Sequence, residues 1–243
     1  MKQLFAGFAL ALSMLSTLPF FRVHDFFKGI NGYAVMCYPL VGALLGAILL
    51  GCYLLLLPYV PETHLKIMLF FLWIVLTGAL HLDGFADTID GFFVSAERAE
   101  AVMKDPHTGG MGMVFTVAFL ILKASALWHL EALSTLPLVL MLARYNAVAA
   151  IRFYPYIRKE GMGSLAKAEL TGVQFAAATL MAVAAALFAP QGWLLLLGSV
   201  ATLWLTAHFV ARRLGGFSGD VYGFTVEVSE VVLLHLLIVG AAL

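Results

Sequence analysis

Asp83, Asp87 and Asp90 recur at i, i+4 and i+7 in the stretch His81-Leu82-Asp83-Gly84-Phe85-Ala86-Asp87-Thr88-Ile89-Asp90-Gly91. On an α-helix that spacing stacks all three carboxylates on one face. Carboxylates held so close repel one another, and desolvation raises the cost. A divalent cation relieves the repulsion, and oxygen-only ligands select a hard ion, Mg²⁺ or Mn²⁺, over zinc. The alternative is a solvated acidic loop. The residues just ahead, Ile67 to Leu80, are almost wholly apolar. An acidic face is therefore expected where a membrane helix meets water. Gly84, Ala86 and Gly91 are small enough to admit a phosphate or a neighbouring helix close to the backbone. His81 stands at the helix end, either as a phosphate contact or as an interfacial residue.

Three other groups could join this chemistry. In Met103-Lys104-Asp105-Pro106-His107-Thr108-Gly109-Gly110-Met111-Gly112, a glycine-rich turn precedes an apolar run. Backbone N–H groups at such a helix start can meet a phosphate, with Lys104 and His107 beside them. Asp105 reads equally as a further acid or a turn residue. In Gly215-Gly216-Phe217-Ser218-Gly219-Asp220-Val221-Tyr222-Gly223, Asp220 is followed by Glu227 and Glu230 at i+7 and i+10. These share a face if the last helix starts near Asp220, and then two acidic helix ends could clamp metal between them. Pairing of the glutamates with Arg212 or Arg213 is the alternative. Arg144 lies inside an apolar segment and needs an anion, either a substrate phosphate or one of the acids. Lys123 is similar but can snorkel along its helix. The basic, aromatic loop from Tyr154 to Gly163 either covers the site or anchors the chain at the interface.

The elements that position these residues are membrane helices. The chain has 243 residues, of which 63% are hydrophobic and 12% charged, with a mean hydropathy of +0.98. Soluble domains carry about 25% charged residues. The apolar runs are continuous rather than alternating, which excludes a barrel. The expected fold is an all-α, polytopic integral membrane bundle of about seven helices, forming one catalytic domain over residues 1–243. Net charge is zero with no basic tail, so nucleic acid is not a partner. Cys37 and Cys52 fall on one predicted helix, roughly 22 Å apart, too far for a disulfide.

Apolar segments fall at 4–20, 33–57, 65–82, 112–130, 135–150, 174–189, 193–210 and 224–243, allowing seven or eight spans. Polar loops are expected at 21–32, 58–64, 83–111, 151–173 and 211–223. The first segment resembles a signal peptide, but Ser16-Thr17-Leu18-Pro19 makes a poor cleavage site, so it is expected to be retained. Arg22, Lys28, Arg98, Lys104, Arg152, Arg158, Lys159, Lys167, Arg212 and Arg213 all fall on odd-numbered loops, and only Lys2 and Lys66 on the other side. Positive-inside bias puts the odd loops, and with them the acids, in the cytoplasm.

Acids for Mg²⁺, basic residues and a glycine-rich turn are the parts of a phosphoryl-transfer site. No Walker-type motif, zinc spacing or Ser-His-Asp order is present.

HLDGFADTIDG, then MKDPHTGGMG, then GGFSGDVYG with an acidic helix behind it resemble the cobalamin synthase family, the adenosylcobinamide-GDP ribazoletransferases. The resemblance runs over nearly the whole chain. It implies attack by α-ribazole, or its 5′-phosphate, on the phosphate linked to adenosylcobinamide. GMP leaves, adenosylcobalamin or its 5′-phosphate forms, and Mg²⁺ is required as one or two ions. Asp83, Asp87 and Asp90 match the family's acidic motif, and Asp220 and Glu227 its C-terminal acidic segment. The expected metal ligands are therefore Asp83, Asp87, Asp90, Asp220 and Glu227, with Asp83 and Asp87 catalytic. His81, Lys104, Asp105, His107, Arg144 and Glu230 are expected to contact substrate. The expected location is the bacterial cytoplasmic (inner) membrane, with lipid as surroundings and a homo-oligomer left open.

Other readings fit less closely. CDP-alcohol phosphotransferases resemble D-x-x-D-G-x-x-A-R, whereas this chain has D-G-x-x-D without the arginine. Intramembrane prenyltransferases share D-x-x-x-D but carry a second aspartate pair. A cation-coupled transporter would hold its acids near mid-membrane on a broken helix, and no such break is evident in the sequence.

Overall fold

The computed structural model describes residues 2–18 and 27–242; Phe20 and Arg22 lie outside the described residues. The architecture is all-helical, as expected. In chain order the helices are α1 (Lys2–Leu15), α2 (Ile30–Leu56), α3 (Glu62–Thr77), α4 (Leu80–Phe92), α5 (Ala96–Val102), α6 (Gly110–His129), α7 (Leu136–Phe153), α8 (Met162–Glu169), α9 (Gly172–Phe188), α10 (Gly192–Leu214) and α11 (Gly219–Ala242). By length and composition α2, α6, α7, α10 and α11 can each cross a membrane, and the count reaches seven only if each of two bent pairs is one span. At 14 residues α1 is too short for an eighth crossing. It lies along α2 instead.

The centre of the bundle is α7, the most enclosed of the spans, with α2, α9, α10 and α11 around it. Hydrophobic driving force is weak between helices in lipid, so close packing must hold them. Gly42 and Gly46, one turn apart on α2, supply it. A Cβ on Gly42 would fall 2.2 Å from the Leu140 carbonyl oxygen, and one on Gly46 2.5 Å from the Pro137 Cα. Outward faces stay apolar: Trp193, Leu197, Val200 and Trp204 are exposed along α10.

The sequence places the acids on the continuation of the third apolar run, and here the structure differs. α3 stops at Thr77, and α4 starts at Leu80 with its axis turned by 82°. Gly78 (φ 60°) and Ala79 (φ 55°) are both left-handed, which terminates a helix. The freed carbonyls are satisfied locally. The Gly78 N–H donates to Val75 O, the Ala79 N–H to Ile74 O, and the Thr17 N–H to Leu76 O at 2.9 Å. α4 is thus a separate helix of 13 residues, too short to span, laid across the starts of α6 and α11. The expected loop at 83–111 therefore contains α4 and α5. The expected loop at 151–173 contains α8, which meets α9 at 95°. A capping box between Thr171 and Gln174 starts α9.

Candidate active site at the crossing of α4 and α11

α4 crosses the first turns of α11 at two glycines. A Cβ on Gly84 would lie 2.7 Å from the Asp220 carbonyl oxygen, and one on Gly223 3.2 Å from the His81 Cα. A side chain at Gly84 would clash with backbone, and one at Gly223 would press on it more closely than ordinary contact. The crossing sets Asp83 and Asp87 of α4 beside Asp220, the first acid of α11. Asp83 is exposed, while Asp87 and Asp220 are half-buried. Burial first, then the charges of Asp83, Asp220 and Asp90, push the Asp87 carboxyl up to about 6. Two acidic helix ends do meet, as the spacing suggested.

Arg158 answers part of this charge, donating from Nη2 to Asp220 Oδ2 at 2.5 Å. It comes from the aromatic loop ahead of α8, whose role the sequence left open. The loop is tied down over the acids. The Ile157 N–H donates to Phe217 O at 2.9 Å, the Phe217 N–H donates to Pro155 O at 2.8 Å, and Tyr156 stacks on Tyr222. The loop is thus held against the start of α11, next to Asp220. Arg158 was not among the expected site residues, because its partner lies 62 positions away.

Asp90 is committed elsewhere. It is buried, and its two oxygens accept from the Gly109 N–H at 2.7 Å and the Gly112 N–H at 2.8 Å. The N–H groups expected to meet a phosphate are thus engaged by a carboxylate at the start of α6. Lys104 pairs with Glu100, and His107 with Asp105, all exposed. None of Lys104, Asp105 and His107 lines the cavity beside the acids.

That cavity is about 260 Å³ and is bounded by His81, Asp83, Gly84, Arg144, Asp220 and Tyr222, among others. Arg144 is 1% exposed and His81 5%, so the acidic end faces outward and these two form the floor. Beneath it lies a buried cluster of four charges. Lys123 Nζ donates to Glu227 Oε2 at 2.7 Å and also to Glu230, and Arg144 Nη1 donates to Glu230 Oε1. Lys123 also sits 4.4 Å from the centre of the Trp73 ring. The partners of the glutamates are therefore Lys123 and Arg144. Arg213 instead donates to the carbonyls of Phe92 and Val94. Lys123 does not snorkel to the surface. With Glu227 neutralised by Lys123, its carboxylate reaches a metal only if that pair opens.

The residues present fit a hard cation in one specific sense. Among the described residues no three His, Cys, Asp or Glu side chains converge closely enough to hold an ion by themselves. Yet Asp83, Asp87 and Asp220 offer only oxygen, and Arg158 offsets only part of their charge. Mg²⁺ commonly binds through one or two carboxylates together with substrate phosphates rather than in an all-protein cage. An acid set completed by a diphosphate matches that habit.

The family model described as cobalamin-5-phosphate synthase matches residues 7–238. The chain belongs to the cobalamin-5-phosphate synthase family. Curated relatives agree along their length. A protein of Desulforamulus reducens named adenosylcobinamide-GDP ribazoletransferase is 37% identical over 98% of both chains. Proteins of the same name from Deinococcus radiodurans and Pseudomonas aeruginosa are 35% and 38% identical, over 96% and 84% of this chain and 86% and 85% of their own. No solved structure matches the chain. In this member of the cobalamin-5-phosphate synthase family the acidic motif thus forms a helix of its own, pinned at the end of the bundle by two glycines.

Proposed function

We propose that the chain transfers the adenosylcobinamide phosphate of adenosylcobinamide-GDP to α-ribazole or its 5′-phosphate. The observation that carries this reading is the meeting of Asp83, Asp87 and Asp220 at the α4–α11 crossing, beside a cavity with a polar floor. The relatives' shared name supplies the donor substrate. In the reaction, a ribose hydroxyl oxygen forms a bond to the phosphorus next to cobinamide. The bond from that phosphorus to the bridging oxygen breaks, and GMP carries that oxygen away. The hydroxyl proton passes to a carboxylate oxygen of Asp83 or Asp87.

Asp83, Asp87 and Asp220 would hold Mg²⁺ together with the diphosphate. When bound, Mg²⁺ neutralises charge on the diphosphate and polarises it toward attack. Arg158 keeps Asp220 oriented and covers the diphosphate from the loop side. Arg144 and His81 contact substrate from the cavity floor. The same end of the bundle carries most of the basic loop residues, so the site faces the cytoplasm of a bacterial inner membrane. The test is turnover of the purified protein in lipid nanodiscs. We expect GMP release from adenosylcobinamide-GDP only with both α-ribazole and Mg²⁺ present. Absence of GMP from folded protein under those conditions refutes the proposal.

A further inference from the structure

The cavity behind the acids has a character the diphosphate does not need. Its walls are apolar: Leu15 of α1, Tyr38 of α2, and Ala147 and Ile151 of α7. Three of the residues that line it carry four buried polar atoms without a hydrogen-bond partner: His81 Nδ1, Arg144 Nε and Nη2, and the Tyr222 hydroxyl oxygen. Buried polar atoms are almost always satisfied, and four orphans on three residues lining one cavity point to a ligand reached by small side-chain turns. Apolar walls with a few converging polar groups are the usual make-up of a small-molecule pocket.

Charge and size narrow the occupant. The floor is electrically balanced, because Glu227 and Glu230 offset Lys123 and Arg144. It offers directed hydrogen bonds without a net field for a polyanion. A cavity of about 260 Å³ holds a bicyclic aromatic ring but not a corrin macrocycle. Asp83 and Asp220 line the same cavity, so a sugar attached to a ring seated there lies at the acids.

We infer that this cavity is the acceptor subsite: it takes the flat aromatic base of the nucleoside, with the ribose at the Asp83–Asp220 end. The Tyr222 hydroxyl and the unpartnered Arg144 Nε and Nη2 donate to the acceptor atoms of the nucleoside. The corrinoid stays outside, and only its diphosphate reaches the acids. This assignment rests on the reaction proposed above.

The test is equilibrium binding by calorimetry, using full-length protein in nanodiscs with α-ribazole and with adenosylcobinamide-GDP separately. Ala147→Phe fills the cavity, and Tyr222→Phe deletes one hydroxyl. We expect Ala147→Phe to weaken α-ribazole binding by at least about tenfold, while adenosylcobinamide-GDP binding stays within about twofold. Tyr222→Phe, which cannot overfill the core, should weaken α-ribazole by about fivefold, the worth of one neutral hydrogen bond. Wild-type affinity for α-ribazole in both variants overturns the assignment. So does no α-ribazole binding to wild-type protein, or loss of adenosylcobinamide-GDP binding instead. Nucleoside binding with this mutational pattern but without GMP release would uphold the subsite and refute the reaction.

Discussion

Replacing Gly84 by alanine adds one methyl group and touches no chemical group, yet we expect it to remove most of the activity. The new Cβ would lie 2.7 Å from the Asp220 carbonyl oxygen and 2.9 Å from its Cα. Both are backbone atoms, so no side chain can swing aside. Ordinary contact begins at 3.4 Å, and the shortfall is about 0.7 Å. α4 and α11 must part by roughly that amount, and Asp83 and Asp87 move away from Asp220 with them. Displacements near 1 Å at a reacting centre cost about 100-fold in rate, which corresponds to about 2.7 kcal/mol in the barrier. The assay is Mg²⁺-dependent GMP release from nanodisc protein, with thermal unfolding as a check on folding. Gly172→Ala, where a Cβ meets nothing within 4 Å, is the control and should keep wild-type rates. A Gly84→Ala protein turning over within about twofold of wild type would show that the crossing does not set the site.

Other perturbations have equally definite outcomes. Lys123→Met strands the buried Glu227 carboxylate and should cost about 3–5 kcal/mol in mixed-micelle unfolding, whereas Lys123→Met combined with Glu227→Leu should recover most of it; equal stability of both variants would contradict the ion cluster. Asp90→Asn removes the anion held by the Gly109 and Gly112 N–H groups, and should lower stability by about 1 kcal/mol while leaving the Mg²⁺ concentration for half-maximal activity unchanged. The raised Asp87 pKa of about 6 means that the folded, metal-free protein holds this proton where an unfolded chain has lost it. Its stabilising contribution is therefore present at low pH and is lost as pH rises through the interval from about 4 to about 6. Mg²⁺ competes with the same proton, so half-maximal activation should need more Mg²⁺ at pH 5.5 than at pH 7.5, and Asp87→Asn should flatten that dependence.

The placement of the acids was legible in the sequence where it is local. Asp83, Asp87 and Asp90 do lie on one helix, and Gly84 does admit a neighbouring helix, because i, i+4 spacing and side-chain size are sequence properties. The break ahead of α4 had one signal, Gly78, but Ala79 carries none for a left-handed conformation and the apolar run continues through both. The partners of the buried charges were hidden too. Arg158 meets Asp220, and Lys123 meets Glu227, only through packing between helices distant in the chain. The glycine-rich turn before α6 reads as a phosphate site in the sequence, and its Gly109 and Gly112 N–H groups are instead occupied. The anion is Asp90, supplied by the protein itself.

Asp83→Asn tests the central claim most directly, since it keeps the size of the side chain and removes one charge from the acid set. The protein would be assayed in nanodiscs with adenosylcobinamide-GDP, α-ribazole 5′-phosphate and a Mg²⁺ titration, following GMP. We expect correct folding with turnover reduced by about 100-fold or more, unrestored by higher Mg²⁺. Near wild-type turnover at limiting Mg²⁺ would contradict the claim that the α4 acids hold the metal and the diphosphate.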